Sequence, residues 1–191
     1  HLALRYEKYW SWLPSFSRKA LEDLSLMTNQ NTSYGRRLGK LFNNAGSSGN
    51  KRLVSYFEWA RRDDLLPLYS EEVKREIRFD KPEQPMLDFL NSINHKTHSI
   101  DKMLALEQRF FLPDHNLIYT DKMSMAAGVE VRVPFLDNDL VQFAATIPNK
   151  YKQRGTVGKW ILKKAMEPYL PHDVIYRPKT GFGAPLRRWI K

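Results

Sequence analysis

Leu117 to Asp137 reads LIYTDKMSMAAGVEVRVPFLD, and this stretch limits the conformations open to the chain more than any other. Leu117, Ile118 and Met125 fall at helical apolar spacing, with Asp121 and Lys122 on the polar side, which predicts a helix from Leu117 to Ala127. Gly128 supplies the stop, because the residue after a helix commonly takes a positive φ and glycine does so without Cβ strain. The next residues change in kind. Val129, Val131 and Val133 alternate with Glu130 and Arg132, so an extended segment points one acid and one base the same way. Pro134 forbids helix there, and Asp137 is suited to cap the helix that follows. A charged pair held between buried apolar residues costs free energy unless it is satisfied. On spacing alone, Glu130 and Arg132 read as a structural ion pair that locks a loop between two helices.

Around this stretch the chain reads as nearly all helix, in short pieces joined by brief loops. Leu2, Tyr6, Tyr9, Trp10 and Leu13 form an aromatic helical stripe ended by Pro14, suited to a core or a subunit contact. Ser17 is placed to cap a helix running to about Met27 with Leu21 and Leu24 inward. Arg36, Arg37 and Lys40 sit on a short helix, and Asn43 to Asn50 reads as a loop. Lys51 to Arg62 is predicted helical, with Leu53, Val54, Phe57 and Ala60 on one face. Ser70 opens a short helix that carries Glu71 and Glu72 near its positive end. Pro85 to Asn94 is predicted helical. Ser99 caps a helix with Ile100, Met103, Leu104 and Phe111 on its apolar side, stopped by Pro113, after which Asp114 caps the central helix. Asp137 caps a helix ending before Pro148, and Thr156 caps one holding Trp160, Ile161 and Met166. Asp173 to Tyr176 reads as a short turn, and no alternating strand pair is legible.

A chain of 191 residues suits one domain or one lobe of something larger, and a start at His1 rather than Met suggests a piece of a longer protein. The absence of cysteine excludes disulfides, thiolate metal sites and a cysteine nucleophile, which agrees with a cytoplasmic setting. No apolar run approaches the roughly 20 residues of a membrane span, and no signal-peptide pattern opens the chain. A net charge of +10 favours polyanions such as nucleotides, pyrophosphate or an acidic neighbouring domain. The loop Arg177-Pro178-Lys179-Thr180-Gly181-Phe182-Gly183 combines a fixed φ at the proline with free backbone at both glycines. It can offer Arg177 and Lys179 to a phosphate-bearing ligand, although a basic loop is more often simply solvated. His115 and His172 read as surface or capping residues, and no metal-ligand set stands out.

SMAAGVEVRVPFLD together with Arg177 to Phe182 resembles the asparagine synthetase (glutamine-hydrolysing) family, in the carboxy-terminal part of its synthetase domain. Leu112-Pro113-Asp114, Asp121 to Ala126, Pro148, Lys159 to Leu162 and Leu170-Pro171 follow the same pattern in the same order. Residues 112–191 carry the motif region, and residues 1–111 form a helical lobe that matches more loosely. The resemblance implies a mainly α fold. It would be the helical part of an ATP-pyrophosphatase (adenine-nucleotide α-hydrolase-like) synthetase domain without its parallel-sheet nucleotide part. It also implies a ligase that uses ATP and Mg²⁺ to activate aspartate as β-aspartyl-AMP, with ammonia or glutamine giving asparagine, AMP and pyrophosphate. Lys179 matches a catalytic lysine that neutralises charge in the transition state. Arg177, Glu130, Arg132 and Asp121 match positions of the active-site wall or phosphate contacts, with Lys122 standing where arginine is common. The family's SGGxDS phosphate loop, GxGxDExxxGY motif and amino-terminal cysteine do not occur, and Gly46 to Gly49 (GSSG) reads as a loop. The implied partners are therefore a glutaminase domain and a nucleotide-loop part, and the chain alone is expected to be inactive.

Three other readings stand beside this one. One is a related amide-forming ligase of the β-lactam-synthetase kind. Another is a basic helical module binding nucleic acid, which the scattered Arg36, Arg37, Lys40, Arg61, Arg62, Lys163, Lys164, Arg187 and Arg188 argue against. The third is a structural lobe that holds another subunit, a second copy included, through the aromatic first helix.

Overall fold

The computed structural model describes residues 12–28, 32–42, 44–58, 60, 62–76, 82–155, 157–178 and 189. The aromatic stripe before Trp12, the Thr156 cap and Lys179 to Arg188 lie outside them. The described chain is mainly helical, as its periodicity predicts, and it divides into two compact units, residues 1–132 and 133–191.

In the first unit, α1 (Ser15–Met27), α2 (Ser33–Phe42), α3 (Gly49–Ser55), α4 (Arg62–Leu65), α5 (Glu71–Glu76), α6 (Gln84–Ser92) and α7 (Ser99–Leu106) follow one another. The core lies where α3, α6 and α7 meet. Leu53, Val54, Leu90, Met103 and Leu106 are buried there, with Phe57, Leu87, Phe89 and Phe110 packed against them. Phe89 and Phe110 meet edge to face at 5.7 Å. Ser70 accepts the Val73 amide at 3.3 Å at the start of α5, as its position predicts.

Pro113 does not end a helix. From α7 the chain continues as a π-helix over Glu107–Leu117 with Pro113 inside it, then as α8 (Ile118–Ala126). In an α-helix the proline ring collides with the carbonyl four residues back. The wider π-turn moves that carbonyl aside, so the run from Ser99 to Ala126 is unbroken and Asp114 lies within it rather than capping it. The cap of α7 is also one residue earlier than expected, with the His98 ring Nδ1 accepting the Ile100 amide at 3.2 Å.

α1 starts at Ser15 after Pro14, without a side-chain cap, so Ser17 is an interior residue. Its buried residues are Glu22 and Ser25, while Leu24 is exposed. The polar face is inward because the 44–47 turn binds it. Glu22 accepts the Gly46 amide at 3.2 Å, and Arg18 Nη1 donates to the Ser47 carbonyl at 3.3 Å. A Cβ at Gly46 would meet Lys19 Cδ at 3.2 Å, a tight contact that the Lys19 side chain would have to yield to. α3 closes at Ser55, short of the Arg62 expected, because the Phe57 amide turns back to Val54 and the Glu58 amide to Ser55.

The second unit holds α9 (Asn138–Thr146), α10 (Asn149–Lys152), β1 (Gln153–Arg154), β2 (Val157–Gly158), α11 (Trp160–Met166) and α12 (His172–Tyr176). β1 and β2 pair antiparallel, Arg154 opposite Val157, around Gly155 at φ +56°. Two residues per strand leave no alternation to read, which is why the pair is not legible in the sequence. Tyr151 stacks on Trp160 at 6.0 Å, and the Arg154 guanidinium lies over Trp160 at 5.1 Å. α12 replaces the expected turn after Asp173.

Candidate functional site

The motif segment begins where α8 ends. Gly128 takes φ +67°, its amide reaches the Met125 carbonyl at 3.0 Å, and the Val129 amide reaches the Ser124 carbonyl at 2.9 Å. This pair of bonds is a Schellman stop, which settles two carbonyls of the last turn and sends the chain off in extended form. In that extended chain Glu130 and Arg132 share a side, and Arg132 Nη2 lies 2.7 Å from Glu130 Oε1. The pair is not held between buried residues as its setting among valines suggests. Glu130 and Arg132 are 69% and 84% exposed, and Val129, Val131 and Val133 are exposed too. Both charges therefore keep their hydration, and their polar atoms are open to a ligand.

Asp121 lies on the exposed side of α8, and its carbonyl accepts the Ser124 hydroxyl at 3.0 Å. Asp121, Glu130 and Arg132 belong to the first unit, and Arg177 to the second. His115 is stacked on Phe111 at 4.8 Å and faces Tyr119 at 5.1 Å, in the middle of the helical run, so it neither caps nor stands free at the surface.

In the second unit Asp137 caps α9, its carboxylate accepting the amides of Asp139 and Leu140 at 3.1 and 3.0 Å. Further on, a polar tie precedes the Arg177 loop. Glu167 Oε1 accepts from Lys164 Nζ at 2.8 Å and from the Tyr176 hydroxyl at 2.6 Å. The hydrogen bond from Lys164, then that from Tyr176, holds the Glu167 carboxyl below the usual carboxylate range. The same bonds to Glu167 raise Lys164 and Tyr176 above their ordinary values. Lys163 lies over the Tyr176 ring at 5.0 Å and the His172 ring is tilted against it at 4.4 Å, with His172 exposed at the surface as its position predicts. Arg177 follows Tyr176 directly, exposed and extended at φ −53°, ψ 147°, with Pro178 next. Sequence reasoning missed this tie. Lys164 and Glu167 are a readable helical pair, but Tyr176 joins them from another element.

Among the described residues, no group of three or more His, Asp or Glu is gathered for a metal ion. No helix among them is long and apolar enough to cross a membrane.

The described residues are mainly helical, consistent with a helical part of a synthetase domain. The asparagine synthase family model matches residues 1–191, and the chain belongs to that family. It is 47% identical over 140 residues to asparagine synthetase [glutamine-hydrolyzing] 3 of Bacillus subtilis, covering 67% of this chain and 22% of that protein. It is 32% identical over 128 residues to asparagine synthetase [glutamine-hydrolyzing] 1 of the same organism, covering 65% of this chain and 20% of the relative. A putative asparagine synthetase [glutamine-hydrolyzing] of Mycobacterium tuberculosis is 41% identical over 75 residues, 39% of this chain and 12% of that protein. The chain thus spans about a fifth of the length of the first of these curated relatives. No solved structure matches.

Proposed function

We propose that this chain is the helical part of an ATP-dependent carbon–nitrogen ligase that amidates aspartate. Residues 112–191 would carry the motif region and residues 1–111 the supporting lobe. The observation that carries the reading is family membership across the whole chain, joined to the exposed Glu130–Arg132 pair and the Arg177–Gly183 sequence motif. In the reaction, an oxygen of the aspartate side-chain carboxylate attacks the α-phosphorus of ATP. The bond to the leaving pyrophosphate breaks, and β-aspartyl-AMP forms. Ammonia, released from glutamine by a partner domain, then attacks the acyl carbon. The C–O bond to AMP breaks with its electron pair, the nitrogen loses a proton, and asparagine is left.

Both steps place negative charge on phosphate oxygens. Lys179 supplies a compact positive charge against it, and Arg177 a planar two-pronged donor. Glu130, Arg132 and Asp121 line or brace the wall, and no step is routed through Mg²⁺ on this chain. A cytoplasmic setting goes with a reaction that consumes ATP. The relatives' names favour asparagine over another amide as product.

The test is aspartate- and ATP-dependent pyrophosphate release by the full-length protein, with the amide product identified, and with Lys179→Ala beside it. A loss of roughly a hundredfold with the fold retained is expected, equivalent to one transition-state contact of about 3 kcal/mol. An unchanged rate removes Lys179 from the site. No release from the unaltered protein with any aspartate or amine removes the ligase reading.

A further inference from the structure

A cleft in the first unit, apart from the motif segment, collects positive charge. Its volume is about 280 Å³, and Arg18 of α1, Arg52 of α3 and Lys102 of α7 border it together with the hydroxyl-bearing Ser47, Thr97 and Ser99. Among its described lining residues none is acidic. Glu22, one turn along α1 from Arg18, is committed to the Gly46 amide and to Lys19, and Asp101, beside Lys102 in sequence, does not line the cleft.

Neutral groups hold Arg18 and Lys102. Arg18 Nη1 donates to the Ser47 carbonyl at 3.3 Å, and Lys102 Nζ donates to Asn50 Oδ1 at 3.3 Å. Asn50 is itself fixed by its bond to Asn91 at 2.9 Å. Arg52 is 3% exposed, and its guanidinium lies over the Tyr56 ring at 4.6 Å. Arg18 Nε is enclosed and has no acceptor. A donor left unsatisfied inside a protein marks a place where an acceptor improves the balance, and three cations around one cleft favour that acceptor being an anion.

We propose that the cleft between Arg18, Arg52 and Lys102 binds the phosphate group of a small anion. Its volume suits a phosphate or pyrophosphate group and falls below the roughly 300–1,000 Å³ of pockets that enclose a drug-sized ligand, so the remainder of a nucleotide would stand outside. The site does not depend on the ligase reading, because none of its residues belongs to the proposed catalytic set.

The test is titration of the full chain with sodium pyrophosphate at about 150 mM chloride, where screening suppresses general attraction. Isothermal titration calorimetry reads the affinity in every variant, those without the Arg18 guanidinium included. Saturable binding is expected. Affinity should fall about tenfold or more in Lys102→Gln, and further with Arg18→Gln added. Arg75→Gln with Lys150→Gln, which removes the same charge elsewhere, should leave it unchanged. Lys102→Gln is informative even if the double variant fails to fold, because Lys102 is only half-buried. A parallel titration with AMP separates the sources: tighter binding of pyrophosphate assigns a free anion, tighter binding of AMP a nucleotide. An equal loss in the two double variants, or no saturation with either probe, overturns the site.

Discussion

The Val129 amide donates to the Ser124 carbonyl at 2.9 Å across Gly128, and this bond turns a helix into the extended chain that carries Glu130 and Arg132. It requires a left-handed residue between the two. A Cβ at Gly128 would meet nothing within 4 Å, so any cost of substitution is conformational rather than steric. Gly128→Ala should destabilise by about 1 kcal/mol, Gly128→Val by more and Gly128→Asn by less. Urea denaturation orders the three, and an equal loss for all of them would contradict the conformational account.

Leu90 and Leu106 are fully buried in the first unit, whereas Phe135 in the second is 69% exposed. Leu90→Ala and Leu106→Ala should each cost about 2–5 kcal/mol, and Phe135→Ala should stay within about 0.5 kcal/mol. Thermal unfolding of the three variants checks the contrast.

The Lys164–Glu167–Tyr176 tie has a pH window. Glu167 is depressed, so its contribution is present above its ordinary 4.5 and is lost as pH falls through the lower folded value. Tyr176 is raised, so its contribution is present below its ordinary 10.0 and is lost as pH rises through the higher folded value. Lys164 is raised as well and behaves the same way around 10.5. The tie should therefore be intact from about pH 5 to pH 9. In phenolate absorbance Tyr176 should titrate above 10.0, and Glu167→Gln should bring it back toward that value. An unmoved titration would remove Glu167 as the cause.

Glu130 and Arg132 are exposed partners at 2.7 Å, so their pairing contributes at most about 1 kcal/mol. Glu130→Gln should leave the unfolding midpoint nearly in place. If the segment serves the ligase site, the same variant should slow pyrophosphate release by the full-length protein about tenfold or more. A stability loss of several kcal/mol with an unchanged rate would make the pair structural.

What the sequence made legible was local chemistry. Gly128 and Asp137 act through their own backbone and the next few amides, and both stand where their residue types predict. The shared side of Glu130 and Arg132 followed from alternation, but their exposure did not, because burial depends on what else reaches the segment. Pro113 misleads because a π-turn relieves the clash that normally ends a helix. α1 misleads because a turn more than twenty residues away in sequence binds its polar face. The Arg18–Arg52–Lys102 cleft was equally illegible, since its cations come from three helices and no spacing rule joins them. Lys179 rests on its motif, as it lies outside the described residues.

The inward polar face of α1 has a colloidal consequence. Trp12, just before the helix, and Phe16, Leu24 and Met27 on it are left facing outward, on a chain whose net charge is +10. In dilute buffer that charge keeps neighbouring molecules apart. At about 0.15 M salt the repulsion reaches only about 8 Å, close to the distance at which such side chains begin to meet. Added chloride should therefore turn the second virial coefficient from positive toward negative, with no salting-in rise beforehand.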